Sequence, residues 1–174
     1  MPLLIPFHLI HLTLGGSYFP LALTRSLFLS SRSTIKHLVL TFQTQHSLDL
    51  RDLILSCIGS LPALESLTDW CRSTPDFFVL LPNLPPSLVT FGTCFADKVQ
   101  LATLSRSLSL VTLPNLKTFR FLYLGKVDLE TNSIGVQLLN WFKEKGIRVE
   151  YGFDRKDLRE EVSLSASPTL VVRH

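Results

Sequence analysis

With 174 residues, 36 of them leucine, the chain has room for one domain with a substantial core and too little for two. The hydrophobic fraction of 46% is ordinary, so the excess belongs to leucine itself and implies an environment that recurs along the chain. A net charge of +3 with scattered basic residues permits nucleic-acid binding but does not argue for it, and no run of about 20 apolar residues is available to cross a bilayer.

In chain order, Met1 to Leu14 is apolar but lacks a basic leading region, and His8 and His11 interrupt it, which argues against a secretory signal. Within it, Leu9-Ile-His-Leu12-Thr-Leu14 alternates over its last three positions, the period-2 pattern of a strand with one buried face. Gly15-Gly16 suits the turn that follows, and Pro20 to Leu29 reads as a helix with Pro20 near its first position. The strand pattern returns in Ile35-Lys-His-Leu38-Val-Leu40. Next, Leu50, Leu53, Ile54, Cys57 and Ile58 form a helical stripe with Ser47 as N-cap and Gly59 just past its end. A third strand, Leu64-Glu-Ser-Leu67-Thr-Asp69, precedes a two-turn helix at Pro75 to Leu81, capped by Thr74 or Ser73 and ended by Pro82. Leu88-Val-Thr-Phe91-Gly-Thr93 is a fourth strand, followed by a weaker helix marked by Val99, Leu101, Leu104 and Leu108. Leu116-Lys-Thr-Phe119-Arg-Phe121 is a fifth. A helix with Ile134, Leu138, Trp141 and Phe142 on one side then runs to Lys143, Lys145 and the stop at Gly146. The sixth strand is Ile147-Arg-Val149-Glu-Tyr151, in which Ile147 and Val149 follow Phe119 and Phe121 by 28 residues. Asp69 and Thr93 fall where an inward apolar residue belongs, which predicts shifted registers in the third and fourth units.

The first positions of the five leading strands lie 26, 29, 24 and 28 residues apart. Three strands are introduced by Leu-Pro, at Leu61-Pro62, Leu84-Pro85 and Leu113-Pro114, where proline fixes φ in a tight turn and its missing N–H costs no ladder bond. One strand plus one helix cannot bury its own apolar face, whereas stacked units share a continuous core. The arrangement over residues 7–152 resembles the leucine-rich-repeat family, and more closely the repeat region of fungal F-box/leucine-rich-repeat proteins. That resemblance implies an α/β solenoid of about five to six irregular units, with a parallel sheet on the concave face and helices on the convex face. It also implies substrate recognition within a ubiquitin ligase; binding of the ligase adaptor requires an F-box, which would lie outside this chain. The asparagine or cysteine that closes the family motif is replaced here by Ser17, Gln43, Arg72, Ala96 and Leu124.

In a parallel stack, the residues flanking the inward pairs form columns on the concave face. The first holds His11, His37, Ser66, Thr90 and Thr118; the second Thr13, Val39, Thr68, Gly92, Arg120 and Arg148; the third Gly15, Thr41, Trp70, Cys94, Leu122 and Glu150. Six strands at about 4.8 Å give a face about 25 Å long, enough for a peptide or a domain edge. Trp70 and Arg120 are interface-anchoring residue types, although Trp70 reads equally as core that has changed faces and Arg120 more readily as a solvated charge.

Catalytic and cofactor signatures are lacking. Gly15-Gly16-Ser17 has no G-x-S-x-G elbow behind it, no glycine-rich phosphate loop is present, and the carboxylates Asp49, Asp52 and Glu65 are spread over a helix and the next unit rather than set as a pair. His8 and His11 project to opposite faces of a strand; His11 and His37 side by side are two metal ligands without a third. Cys57, Cys71 and Cys94 fit buried thiols in a reducing compartment, hence a cytoplasmic or nuclear setting. Residues 153–174 read as a charged cap or flexible tail. The resulting expectation is a protein-binding module without cofactor, metal, nucleic acid or membrane. A structural fragment without independent function and a doubly wound α/β enzyme stand as alternatives.

Overall fold

The computed structural model describes residues 9–16, 21–42, 53–54, 56–70, 81–94, 97–123, 127–151 and 169–173. The fold is α/β. Strand β1 (His11–Gly16) is followed by helix α1 (Leu21–Ser31), then β2 (His37–Phe42), β3 (Ser66–Asp69) and β4 (Thr90–Cys94). Helix α2 (Lys98–Ser109), β5 (Thr118–Tyr123), helix α3 (Ser133–Glu144), β6 (Arg148–Tyr151) and β7 (Thr169–Arg173) complete it. The strands form one sheet in the order β6-β5-β4-β3-β2-β1-β7, and every pairing is parallel.

Period-2 alternation produces the buried face. Leu12, Leu14, Leu38, Leu40, Leu67, Phe91, Phe119 and Phe121 all belong to one core cluster. Leu27 and Phe28 of α1, Leu101, Leu104 and Leu108 of α2, and Leu138 and Phe142 of α3 join the same cluster, so the three helices cover one side of the sheet. Phe119 is the aromatic centre. Its ring meets Phe91 at 5.4 Å edge-on, Phe121 at 5.0 Å and Phe142 at 4.7 Å.

Strands β2 to β6 enter the sheet in the same way. The carbonyl of the residue before the strand (Ile10, Lys36, Glu65, Val89, Lys117) accepts from the N–H of the first strand residue of the next unit, at 2.8–3.1 Å. In the first four of these, the preceding N–H shares that carbonyl. The fifth departs because Ile147 N–H is committed elsewhere. It bonds Phe142 O at 2.8 Å while Gly146 N–H bonds Lys143 O, with Gly146 at φ +69°, the left-handed closure that ends α3. The leading turns are as the Leu-Pro pairs predict. Leu64 N–H reaches Leu61 O and Leu116 N–H reaches Leu113 O, with proline second in each turn; in the fourth unit the turn begins one residue later, Leu88 N–H reaching Pro85 O. Side chains tie consecutive turns together: Thr34 Oγ1 donates to Leu9 O, Ser87 Oγ to Leu64 O and Asn115 Nδ2 to Pro86 O.

Several expectations need correction. The third and fourth units keep their register, because Asp69 and Thr93 lie opposite each other, both buried, and share one polar spot in an otherwise apolar row. The sixth strand is displaced by two residues: Val149 pairs with Phe119 and Tyr151 with Phe121, while buried Ile147 precedes the strand. Val99 is 71% exposed and lies off the buried stripe of α2, which starts from the N-cap Asp97 accepting from Gln100 N–H. Gly59 follows residues 56–58 of a helix, but close approach explains it: a Cβ there would lie 2.8 Å from Asn83 O. Residues 81–83 form a 3-10 turn, and Thr169–Arg173, within the segment read as cap or tail, form β7 beside β1. His8, Ser17, Pro20, Gln43, Ser47, Leu50, Cys71, Arg72, the helix over 75–80, Ala96, Leu124 and the charged run at 154–161 lie outside the described residues.

Candidate functional site: the helix-free sheet face

Side chains at alternate strand positions face away from the helices. The register brings His11, His37, Ser66, Thr90, Thr118 and Arg148 into one row across six strands. The second row is Thr13, Val39, Thr68, Gly92, Arg120 and Glu150. Arg148 and Glu150 therefore stand one column earlier than the sequence spacing places them. In the third column Gly15 pairs with Thr41, whose hydroxyl donates to Leu14 O at 3.4 Å. A register irregularity at Thr93/Cys94 sets Cys94 opposite Tyr123 rather than Leu122.

The rows differ in what they offer. In the first, the imidazoles of His11 and His37 stack at 4.2 Å with planes 9° apart. Parallel rings hold their in-plane lone pairs side by side, so the pair does not converge on one ion. Burial holds His11 below the ordinary imidazole value. Ser66 and Thr90 continue the row as half-buried hydroxyls, Thr118 is buried, and Arg148 ends it exposed. Beside them Lys36 Nζ and Glu65 Oε1 form an exposed ion pair of 2.7 Å between the second and third units.

In the second row Thr68 is buried and Arg120 is partnered. Arg120 Nε donates to Glu150 Oε2 at 2.9 Å, and Arg148 Nη2 reaches Glu150 Oε1 at 2.8 Å. One carboxylate thus holds two guanidinium groups, and Arg120 is a half-buried structural ion rather than a solvated charge. Gly92 leaves the space these chains use: a Cβ there would meet Arg120 Cβ at 3.3 Å and Leu122 Cδ2 at 3.4 Å.

Trp70, Cys94 and Leu122 close the third column as a small apolar cluster with Val39 packed against it. Trp70 is 4% exposed, so it serves as core on the helix-free side of the sheet rather than as an accessible anchor. Sequence reasoning placed Trp70, Cys94 and Leu122 together but missed that the group is closed. Their mutual apolarity in one column was the available signal. Cys94 is buried, Cys57 is half-buried, and neither forms a disulfide.

No protein-family model, curated protein or solved structure matches this chain. Among the described residues, no group of three or more His, Cys, Asp or Glu side chains is placed to hold a metal ion, and no helix is long and apolar enough to cross a membrane. Asp69 and Cys94 end neighbouring central strands but point to opposite faces of the sheet.

Proposed function

We propose that the chain is an irregular solenoid of leucine-rich-repeat type whose helix-free face recognises another protein. The observation carrying this reading is the recurrence of one hydrogen-bond pattern at Ile10, Lys36, Glu65, Val89 and Lys117, which makes each unit a near-translation of the one before. A doubly wound fold packs helices on both faces, whereas the described helices share one core cluster on one face. The recognition surface consists of the first two rows, with His37, Ser66, Thr90, Thr13 and Val39 half-buried and the Arg120-Glu150-Arg148 group at one end. Recognition would be by shape and hydrogen bonding, without chemistry, and a ligase adaptor would enter only through an F-box beyond these residues.

Affinity capture tests the surface. Ser66→Arg combined with Thr90→Arg adds bulk and charge to the first row, whereas Leu110→Arg changes a residue beyond the end of α2 that is already exposed. The expected outcome is a partner retained by the wild type and Leu110→Arg and lost by the double variant, at equal thermal stability. Equal capture by all three proteins, or no specific partner for any, contradicts the reading.

A further inference from the structure

Charge is unevenly placed on the helix-free face. Among the described residues, that face and the rim where its strands enter carry the cations Lys36, Lys117, Arg120 and Arg148 and the carboxylates Glu65 and Glu150. Asp69 belongs to the helix-side row. Lys36 and Glu65 neutralise each other at 2.7 Å. The remaining three cations and one carboxylate all lie on β5, on β6 or just before β5, so positive charge gathers at one end of the sheet.

These three cations are not equivalent. The Arg120 side chain is 15% exposed, and its Nε holds Glu150 Oε2 at 2.9 Å, which keeps that carboxylate paired whatever Arg148 does. The Arg148 side chain is 70% exposed and reaches Glu150 Oε1 through Nη2. An ion pair this open contributes about 1 kcal/mol at most, so Arg148 can turn to a second acid at small cost. Its planar guanidinium has the donors to hold a carboxylate by two hydrogen bonds. Lys117 is exposed and forms no ion pair among the described residues. The Arg148 N–H donates to Lys117 O at 2.8 Å, which fixes the two residues side by side across the strands. Past buried Thr118, Thr90 and Ser66 continue the row from Arg148 as half-buried hydroxyls, able to donate to peptide carbonyls. From Arg148 to Ser66 is three strand spacings, about 14 Å, the length of about four extended residues.

We propose, resting on the recognition reading above, that this end of the face binds an extended acidic segment of a partner protein. One carboxylate of that segment lies on Arg148 and Lys117, and its main chain follows the hydroxyls of Thr90 and Ser66. A basic segment would set like charges against Arg148 and Lys117, which the interface would have to desolvate without a partner. Nucleic acid is the poorer fit, because its phosphates ask for a track of cations, whereas here the cations stop at one end and hydroxyls take over.

Fluorescence anisotropy of the full chain with a fluorescein-labelled hexapeptide of alternating glutamate and serine tests the assignment. Saturable binding is expected, about tenfold tighter than for the same peptide built on lysine. Arg148→Gln with Lys117→Gln is expected to weaken it about tenfold. Arg25→Gln with Lys98→Gln removes the same charge from exposed positions on the helix side and is expected to leave it unchanged. Should the Arg148 and Lys117 double variant melt early, Lys117→Gln alone is used, with a loss of about threefold expected. Absence of saturable binding, or equal weakening by the two double variants, overturns the proposal. So does an oligothymidylate hexamer that displaces the peptide and depends on the same two residues. Capture of a protein partner together with failure of the glutamate peptide sinks the acidic segment and spares the recognition reading, whereas failure of capture removes both.

Discussion

The two faces of one sheet are built from the same strands and follow different rules. On the helix side, Leu12, Leu14, Leu38, Leu40, Leu67, Phe91, Phe119 and Phe121 are buried against α1, α2 and α3, and solvent exclusion fixes their identity. On the other side, hydroxyls, imidazoles and an Arg-Glu-Arg group alternate with them, and among the described residues only Trp70, Cys94 and Leu122 close into an apolar cluster, with Val39 packed against it. Alternation along a strand decides which face a side chain joins. What happens on the second face depends on neighbours across strands, and so on register.

Truncations measure how unequal the faces are. Phe119→Ala empties the centre of the aromatic group and is expected to cost about 3–5 kcal/mol, read by chemical denaturation. Trp70→Ala is expected to cost about 3 kcal/mol, because the ring is closed off in its own cluster, while Thr90→Ala stays within about 0.5 kcal/mol. A Trp70→Ala protein as stable as Thr90→Ala would return Trp70 to the accessible surface.

Two glycines sharpen the contrast with smaller effects. A Cβ at Gly135 would lie 2.4 Å from Leu129 O, a backbone atom that cannot step aside, and Gly135→Ala is expected to lose about 2 kcal/mol despite the better helix propensity of alanine. On the opposite face the nearest atoms to a Cβ at Gly92 belong to the side chains of Arg120 and Leu122, which can yield by tenths of an ångström. Gly92→Ala is expected to cost under about 1 kcal/mol. Equal losses at the two sites would show that the helix-free face is packed as rigidly as the core.

Smaller still is the effect of pH through His11. Burial disfavours its imidazolium, so the unfolded chain binds the proton more readily than the folded one. This term leaves stability unchanged above the ordinary imidazole value of about 6.5 and lowers it as pH falls from there through the depressed native value. Stability curves at pH 7.5 and 5.5 are expected to differ less for His11→Asn than for the wild type. An unchanged difference would place the proton uptake elsewhere.

Much of the helix side was legible because a strand that slips by one residue turns its leucines to water, so the pattern admits few readings. The Leu-Pro turns were legible for a similar reason: proline at 62 and 114 has only a narrow range of φ. A slip of two residues leaves every side chain on its own face, and that ambiguity misplaced Arg148 and Glu150 by one column. The hydrogen bond from Ile147 N–H to Phe142 O, which closes α3, sets where β6 begins, and spacing does not reveal it. Strand β7 was missed because its partner is β1, at the other end of the sequence; the short run Thr169-Leu-Val-Val-Arg173, rich in β-branched residues, was the available signal.

Cross-strand nuclear Overhauser contacts between backbone protons test the parallel stack most directly. Sequential connection of His11 to His37, His37 to Ser66, Ser66 to Thr90, Thr90 to Thr118 and Thr118 to Arg148 is expected. Antiparallel contacts among these strands, or Arg148 lying beside Arg120, would contradict the rows and the recognition surface drawn on them.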